Sequence, residues 1–170
     1  KFTTLVAAMG FAGADFVSLL LEHGADPYEC DVRGNNALMM ASIFGRTDNV
    51  KFWLDRFPDW NLEKKGTHGN LALSNAVYNG PHRLELMKLL QDRGASTRYR
   101  TGNGGSILIN VCEMDDGDPE LLRHLLTDKN VASSVNYGRR AVTFKWRSIY
   151  RLARFLTRHK LTTSLLMAGL

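Results

Sequence analysis

The chain repeats itself with a period of thirty-three residues. Thr3-Thr4-Leu5-Val6-Ala7-Ala8 and Phe16-Val17-Ser18-Leu19-Leu20-Leu21 return as Asn36-Ala37-Leu38-Met39-Met40-Ala41 and Asn49-Val50-Lys51-Phe52-Trp53-Leu54, with Leu5/Leu38, Ala8/Ala41, Asp15/Asp48, Val17/Val50 and Leu21/Leu54 identical at that offset. A fixed period of this length describes one supersecondary unit that cannot bury its apolar face alone and must stack on its neighbours. Function is therefore expected on a long exposed face and not in a buried pocket.

Within each unit the pattern predicts two short helices and a glycine-bearing connector. Thr3 is placed to cap the first helix through its hydroxyl, and Asp15 is expected to cap the second. Phe16, Val17, Leu19, Leu20 and Leu21 are assigned to the buried side of the second helix. Gly24 ends it, because glycine accepts the left-handed conformation at a helix C-terminus. Gly24-Ala25-Asp26-Pro27 then leaves in an extended direction, since the residue before proline avoids the helical region.

These residues resemble the ankyrin repeat, whose pattern runs D-x-x-G-x-T-P-L-H-x-A-A-x-x-G. The resemblance rests on Gly24-Ala25-Asp26, Asp31 to Leu38, Ala41, Gly45 and Val50 to Leu54. A third unit continues it in Gly69 to Leu73, Ala76, Gly80, Leu86 to Leu90 and Gly94-Ala95-Ser96, and a weaker fourth in Gly104 to Leu108, Val111 and Leu121 to Leu126. The family implies an all-α solenoid of stacked helix-turn-helix units with hairpin-like connectors. On that pattern the array covers 1–130, divided at about 1–30, 31–63, 64–97 and 98–130. The family's Pro is replaced by Thr4, Ala37, Ala72 and Ile107, and its His by Val6, Met39, Ser74 and Ile109. Because that His ties adjacent loops in the family, its loss implies a stack that leans more on packing.

Charge sets the C-terminal part apart. Nine Lys or Arg and no Asp or Glu lie from Lys129 onward, which leaves 13 basic against 17 acidic side chains over residues 1–128. Arg147, Arg151, Arg154 and Arg158 fall on one helical stripe, so 131–160 reads as a basic amphipathic helical insertion and 161–170 as the start of a further helix or repeat. Such a segment fits an acidic partner: anionic lipid, nucleic acid or an acidic protein segment. A solvated face that pairs with acids elsewhere in the full protein is the other reading.

The chemistry-bearing motifs are poor. Thr101 to Ser106 is glycine-rich but lacks the Lys-Ser/Thr ending of a phosphate loop, and reads as a hairpin turn. Asp115 to Glu120 lacks calcium-ligand alternation and reads as a helix start, with Asp118 as cap and Pro119 as first helical residue. Histidines 23, 68, 82, 124 and 159 form no metal or triad pattern, and Cys30 and Cys112 have no CxxC partner. No apolar run reaches the roughly 20 residues of a membrane helix. The residues before Met9 keep the repeat's phase and are read as array, not as a leader, and the chain is read as a fragment of a larger protein. A non-enzymatic, intracellular, cytoplasmic interaction scaffold without cofactor, metal or small-molecule substrate is the expectation. A regulatory arm of an enzyme whose catalytic domain lies elsewhere is the alternative.

The partner in the scaffold reading is another protein. The resemblance implies that hairpin tips and exposed first-helix positions form the recognition face. Carried over in register, these are Phe11, Arg33, Asn35, Ile43, Phe44, His68, Asn70, Tyr78, Asn79, Asn103, Glu113 and Met114. Phe11, Ile43, Phe44, Tyr78 and Met114 are apolar enough for an interface core. They could equally cover the groove of the neighbouring repeat, and the sequence leaves both readings open.

Overall fold

A hydroxyl or amide three residues ahead of an apolar run starts the inner helices. Val6 donates its backbone N–H to Thr3 Oγ1 at 3.3 Å and opens α1 (Thr4–Phe11), and Met39 does the same to Asn36 Oδ1 at 2.8 Å to open α3 (Ala37–Ile43). The third inner helix, α5 (Ala72–Ala76), begins where Leu71 N–H donates to Ser74 Oγ at 2.7 Å. A computed structural model describes residues 3–78, 82–102, 104–112, 114 and 118–133. Over these the chain is helical, and it divides into two units, Lys1–Gly104 and Gly105–Leu170.

In the first unit α1, α3 and α5 stack in sequence order, and α2 (Ala14–Glu22), α4 (Thr47–Arg56) and α6 (Arg83–Asp92) back them as an outer layer. Inner helices must therefore be apolar almost all round, and every residue from Ala37 to Ser42 is buried. Small residues set the spacing. A Cβ on Gly10 would lie 2.8 Å from the Phe44 ring and 3.2 Å from Met40 Cγ, so only glycine lets α1 and α3 approach this closely. The outer helices bury one stripe each: Val17 in α2, Val50, Trp53 and Leu54 in α4, Leu86, Met87 and Leu90 in α6.

Two expectations for α2 are corrected. Its N-cap is Gly13, which makes no side-chain cap bond, so Asp15 lies inside the first turn. There its carboxylate still complements the positive helix end. Phe16 and Leu19, expected inside, are 52% and 51% exposed. In the next repeat the counterpart of Phe16 is Asn49, buried at 1%, whose amide donates to the carbonyls of Met9 at 2.9 Å and Ala12 at 2.8 Å. Arg46 also donates to Ala12 O, at 2.9 Å. Asn49 and Arg46 thus pin the second repeat to the carbonyl end of α1.

Gly24 (φ +84°) ends α2 as expected, with Ala25 N–H donating to Leu20 O at 3.0 Å and Gly24 N–H to Leu21 O at 3.1 Å. Gly94 closes α6 in the same way. The second repeat differs, because Phe57 and Pro58 stand where such a Gly-Ala pair would be.

The second unit holds α7 (Ile107–Cys112), α8 (Pro119–Thr127) and α9 (Lys129–Ala132), with α8 packed on both neighbours. Asp118 caps α8 by accepting Leu121 N–H at 3.0 Å, and Pro119 occupies the first turn, as the sequence predicts. Leu108, Val111, Leu121, Leu122, Leu125 and Val131 are buried. The expected basic stripe, Arg147, Arg151, Arg154 and Arg158, lies outside the described residues, as do Asn79, Asn103 and Glu113.

Candidate interaction surface

Each connector of the first unit makes a tight turn whose tip bonds to the next. In the first, Gly34 N–H donates to Asp31 O and Asp31 N–H to Asn35 O, both at 2.9 Å. In the second, Gly69 N–H donates to Gly66 O and Gly66 N–H to Asn70 O, again at 2.9 Å. Thr67 N–H then donates to Arg33 O at 2.8 Å, and Gly102 N–H to His68 O at 2.7 Å. The same backbone rung therefore recurs once per repeat, and adjacent loops are tied without the family's His.

Side chains reinforce the first rung. Asp31, 7% exposed, accepts from Asn35 Nδ2 at 3.0 Å and from the backbone N–H groups of Asn35 and Arg33, each at 2.8 Å. Asn70 Nδ2 donates to Asn35 Oδ1 at 2.9 Å and to Asn75 Oδ1 at 3.3 Å. Asn35 is only 5% exposed. The expectation that Asn35 presents its amide at the surface is therefore corrected, because the stacking of equivalent loop positions consumes it. Asn70, half-buried, spends its amide in the same network.

Burial raises the Asp31 pKa, but the Asn35 side chain, the two backbone N–H groups and nearby Arg33 outweigh it and hold the carboxyl below its ordinary value of 3.8. A folded pKa below the unfolded one adds stability that is fully present above the unfolded value and is lost as pH falls through the folded one. Asp31→Ala is expected to cost about 2 kcal/mol at neutral pH. Denaturant titrations of the two proteins should show that gap shrinking below about pH 4; a gap that does not change with pH would contradict this account.

The remaining tip residues face solvent: Arg33 and His68 are exposed. A set of aromatic side chains marks the opposite, C-terminal ends of the inner helices. Phe11 at 65%, Phe44 at 42% and Tyr78 at 52% are exposed, and Ile43 is half-buried. The Phe11 and Phe44 rings lie 4.4 Å apart, tilted by 53°, and Phe44 leans over Gly10. One edge of Phe44 seals the step between α1 and α3, and the rest of the set is presented outward. Met114, in the second unit, is half-buried.

Residues 5–48 match the family model described as ankyrin repeats in many copies. Residues 5–48 are thus similar to ankyrin repeats. Among its relatives, the rat ankyrin repeat and SAM domain-containing protein 6 is 32% identical over 106 residues, which is 62% of this chain and 11% of that protein. The mouse protein of the same name is 31% identical over the same shares. The chain therefore spans about a tenth of the length of the curated relatives it matches. Ankyrin repeats are in general protein-protein interaction modules and in general non-catalytic.

Among the described residues no three His, Cys, Asp or Glu side chains are grouped to hold a metal ion, and no helix is long and apolar enough to cross a membrane. Cys30, half-buried, and Cys112, buried, are not joined in a disulfide. A cluster that the sequence did not flag lies at the far end of α4. There Trp60 gathers Tyr28, Trp53 and Phe57 around it at ring separations of 5.3, 5.1 and 5.6 Å. The run Phe57-Pro58-Asp59-Trp60, an aromatic pair in a connector, was the available signal.

Proposed function

We propose that this ankyrin array is a non-catalytic scaffold that binds another protein through its inner-helix ends and hairpin tips. The observation that carries the reading is the exposure of Phe11, Phe44 and Tyr78 at the inner-helix ends, together with that of Arg33 and His68 on the hairpin tips. Large apolar side chains beside a polar rim are what a protein interface uses for its energetic centre. Asn79, Asn103, Glu113 and Met114 extend the same family positions along the sequence. The unbridged thiols of Cys30 and Cys112 support an intracellular, reducing location.

Phe44→Ala combined with Tyr78→Ala tests it. Proteins retained by the wild-type chain are identified and their affinities for both forms measured. The double variant is expected to bind at least about thirtyfold more weakly, since a central aromatic anchor contributes about 2 kcal/mol or more. Its far-UV circular dichroism should be unchanged. Unfolding of the variant would make the set core packing and end the proposal.

A second reading follows from the nine basic and no acidic side chains after Asp128. Under it, 139–160, with Arg147, Arg151, Arg154 and Arg158 in front, docks on an acidic partner. Titrations against acidic liposomes and duplex DNA at two salt concentrations should give salt-sensitive binding that is lost on deleting residues 131–170. Absence of any salt-sensitive binding leaves the scaffold reading alone.

A further inference from the structure

The outer helix of the second repeat ends unlike those of the first and third. In place of a Gly24- or Gly94-type stop it has Phe57 and Pro58, and proline cannot continue a helix. The chain turns at once, with Trp60 N–H donating to Phe57 O at 3.1 Å, and brings the Trp60 ring back against Trp53, which is wholly buried. Tyr28, from the connector of the preceding repeat, stacks on Trp60 with planes 13° apart. A cleft of about 360 Å³ opens along these rings, edged by Arg56, Asp59 and Lys64. That volume lies in the range of ligand-binding clefts.

The cleft is rich in unspent hydrogen-bond donors. The Trp60 indole N–H is buried without a partner. Trp53 also lacks one, but it is sealed in the core, whereas Trp60 lines the cleft. Among the described residues Arg56 makes no hydrogen bond or ion pair, and the Lys64 ammonium touches only Cys30 Sγ, at 3.2 Å. Sulfur is a weak acceptor, so that ammonium keeps most of its capacity. The indole N–H is itself covered, so the open donors are Arg56 and Lys64, and one carboxylate, Asp59, stands against them.

We infer that this cleft docks an acidic segment of a partner protein, with a carboxylate held by Arg56 and Lys64 and a neighbouring apolar side chain laid on Trp60, Phe57 and Tyr28. A free inorganic anion would leave the aromatic wall unused. Within the cleft a nucleic acid or lipid surface would meet two described cations, Arg56 and Lys64, and the repulsion of Asp59. The site shares no residue with the set of Phe11, Phe44 and Tyr78, and it stands or falls without it.

The test uses the acetylated, amidated pentapeptide Gly-Glu-Leu-Glu-Gly and its Gln-for-Glu counterpart, followed through the indole N–H resonances of the three tryptophans. Trp60→Phe keeps a ring, removes the N–H and so assigns the signal. The Glu peptide is expected to shift the Trp60 resonance saturably, while the Gln peptide binds about tenfold more weakly. Arg56→Glu should weaken the Glu peptide by at least about tenfold, and Phe44→Ala should leave it unchanged. Arg56 is exposed and unpartnered among the described residues, and Lys64→Gln provides a second variant should the first fail to fold. An unmoved Trp60 signal, equal affinity for both peptides, or loss of binding in Phe44→Ala instead of Arg56→Glu would each overturn the inference.

Discussion

Trp53→Ala is expected to lower the unfolding free energy by about 3–5 kcal/mol, the usual result of emptying a large core side chain. Trp53 is 0% exposed and sits midway along α4, where Val50 and Leu54 are its nearest buried companions in sequence. Its ring lies 4.8 Å from Phe57 and 5.1 Å from Trp60. The substitution therefore removes the floor under the aromatic turn as well as the filling between α4 and its neighbours. Against a total stability of about 5–15 kcal/mol for a chain of this kind, that loss is a large share. Urea titrations followed by circular dichroism should show the midpoint falling sharply. A shift corresponding to less than about 1 kcal/mol would mean that Trp53 does not anchor the second repeat.

Gly69→Ala is expected to cost about 2–4 kcal/mol, and Gly24→Ala only about 1 kcal/mol. Both glycines have positive φ, +71° and +84°, so both substitutions incur the left-handed penalty. They differ in surroundings. A Cβ at Gly69 would stand 2.5 Å from Gly102 N and 3.1 Å from Gly102 Cα, all backbone, whereas one at Gly24 meets nothing within 4 Å. Relief of that clash must move the third connector and break the 2.7 Å bond from Gly102 N–H to His68 O. The pair of variants separates the conformational cost from the contact cost. Equal destabilisation would mean that the rung between those loops contributes nothing.

The repeat lattice was legible because stacking imposes the same demand on each unit. Leu5, Leu38 and Leu73 are buried at equivalent inner positions, as the period requires. Local chemistry was legible too. Thr3 and Asp118 cap because a side-chain oxygen next to a helix start has one obvious use. Asp15 did not, because the helix begins two residues earlier than such a cap would place it, on the carbonyl of Gly13, which accepts Val17 N–H at 3.2 Å. Asn35 occupies a loop position that looks exposed, but its partner Asn70 lies thirty-five residues away and only stacking brings them together. The same holds for the cleft. Tyr28 and Trp60 belong to different repeats, and no spacing rule links them until the chain folds. Phe16 and Leu19 look like core because they share a helix with Val17; which flank of α2 another helix covers is not written in α2.

The rungs that join Arg33 to Thr67 and His68 to Gly102 are made by main-chain atoms. Peptide groups are the same whatever side chain they carry, so the scaffold places few demands on which residues occupy positions 33 and 68. Those tips can be exchanged almost freely while the glycines behind them stay fixed. Partner choice and architectural integrity are thereby written in separate sets of atoms, and a lineage can revise the first without endangering the second.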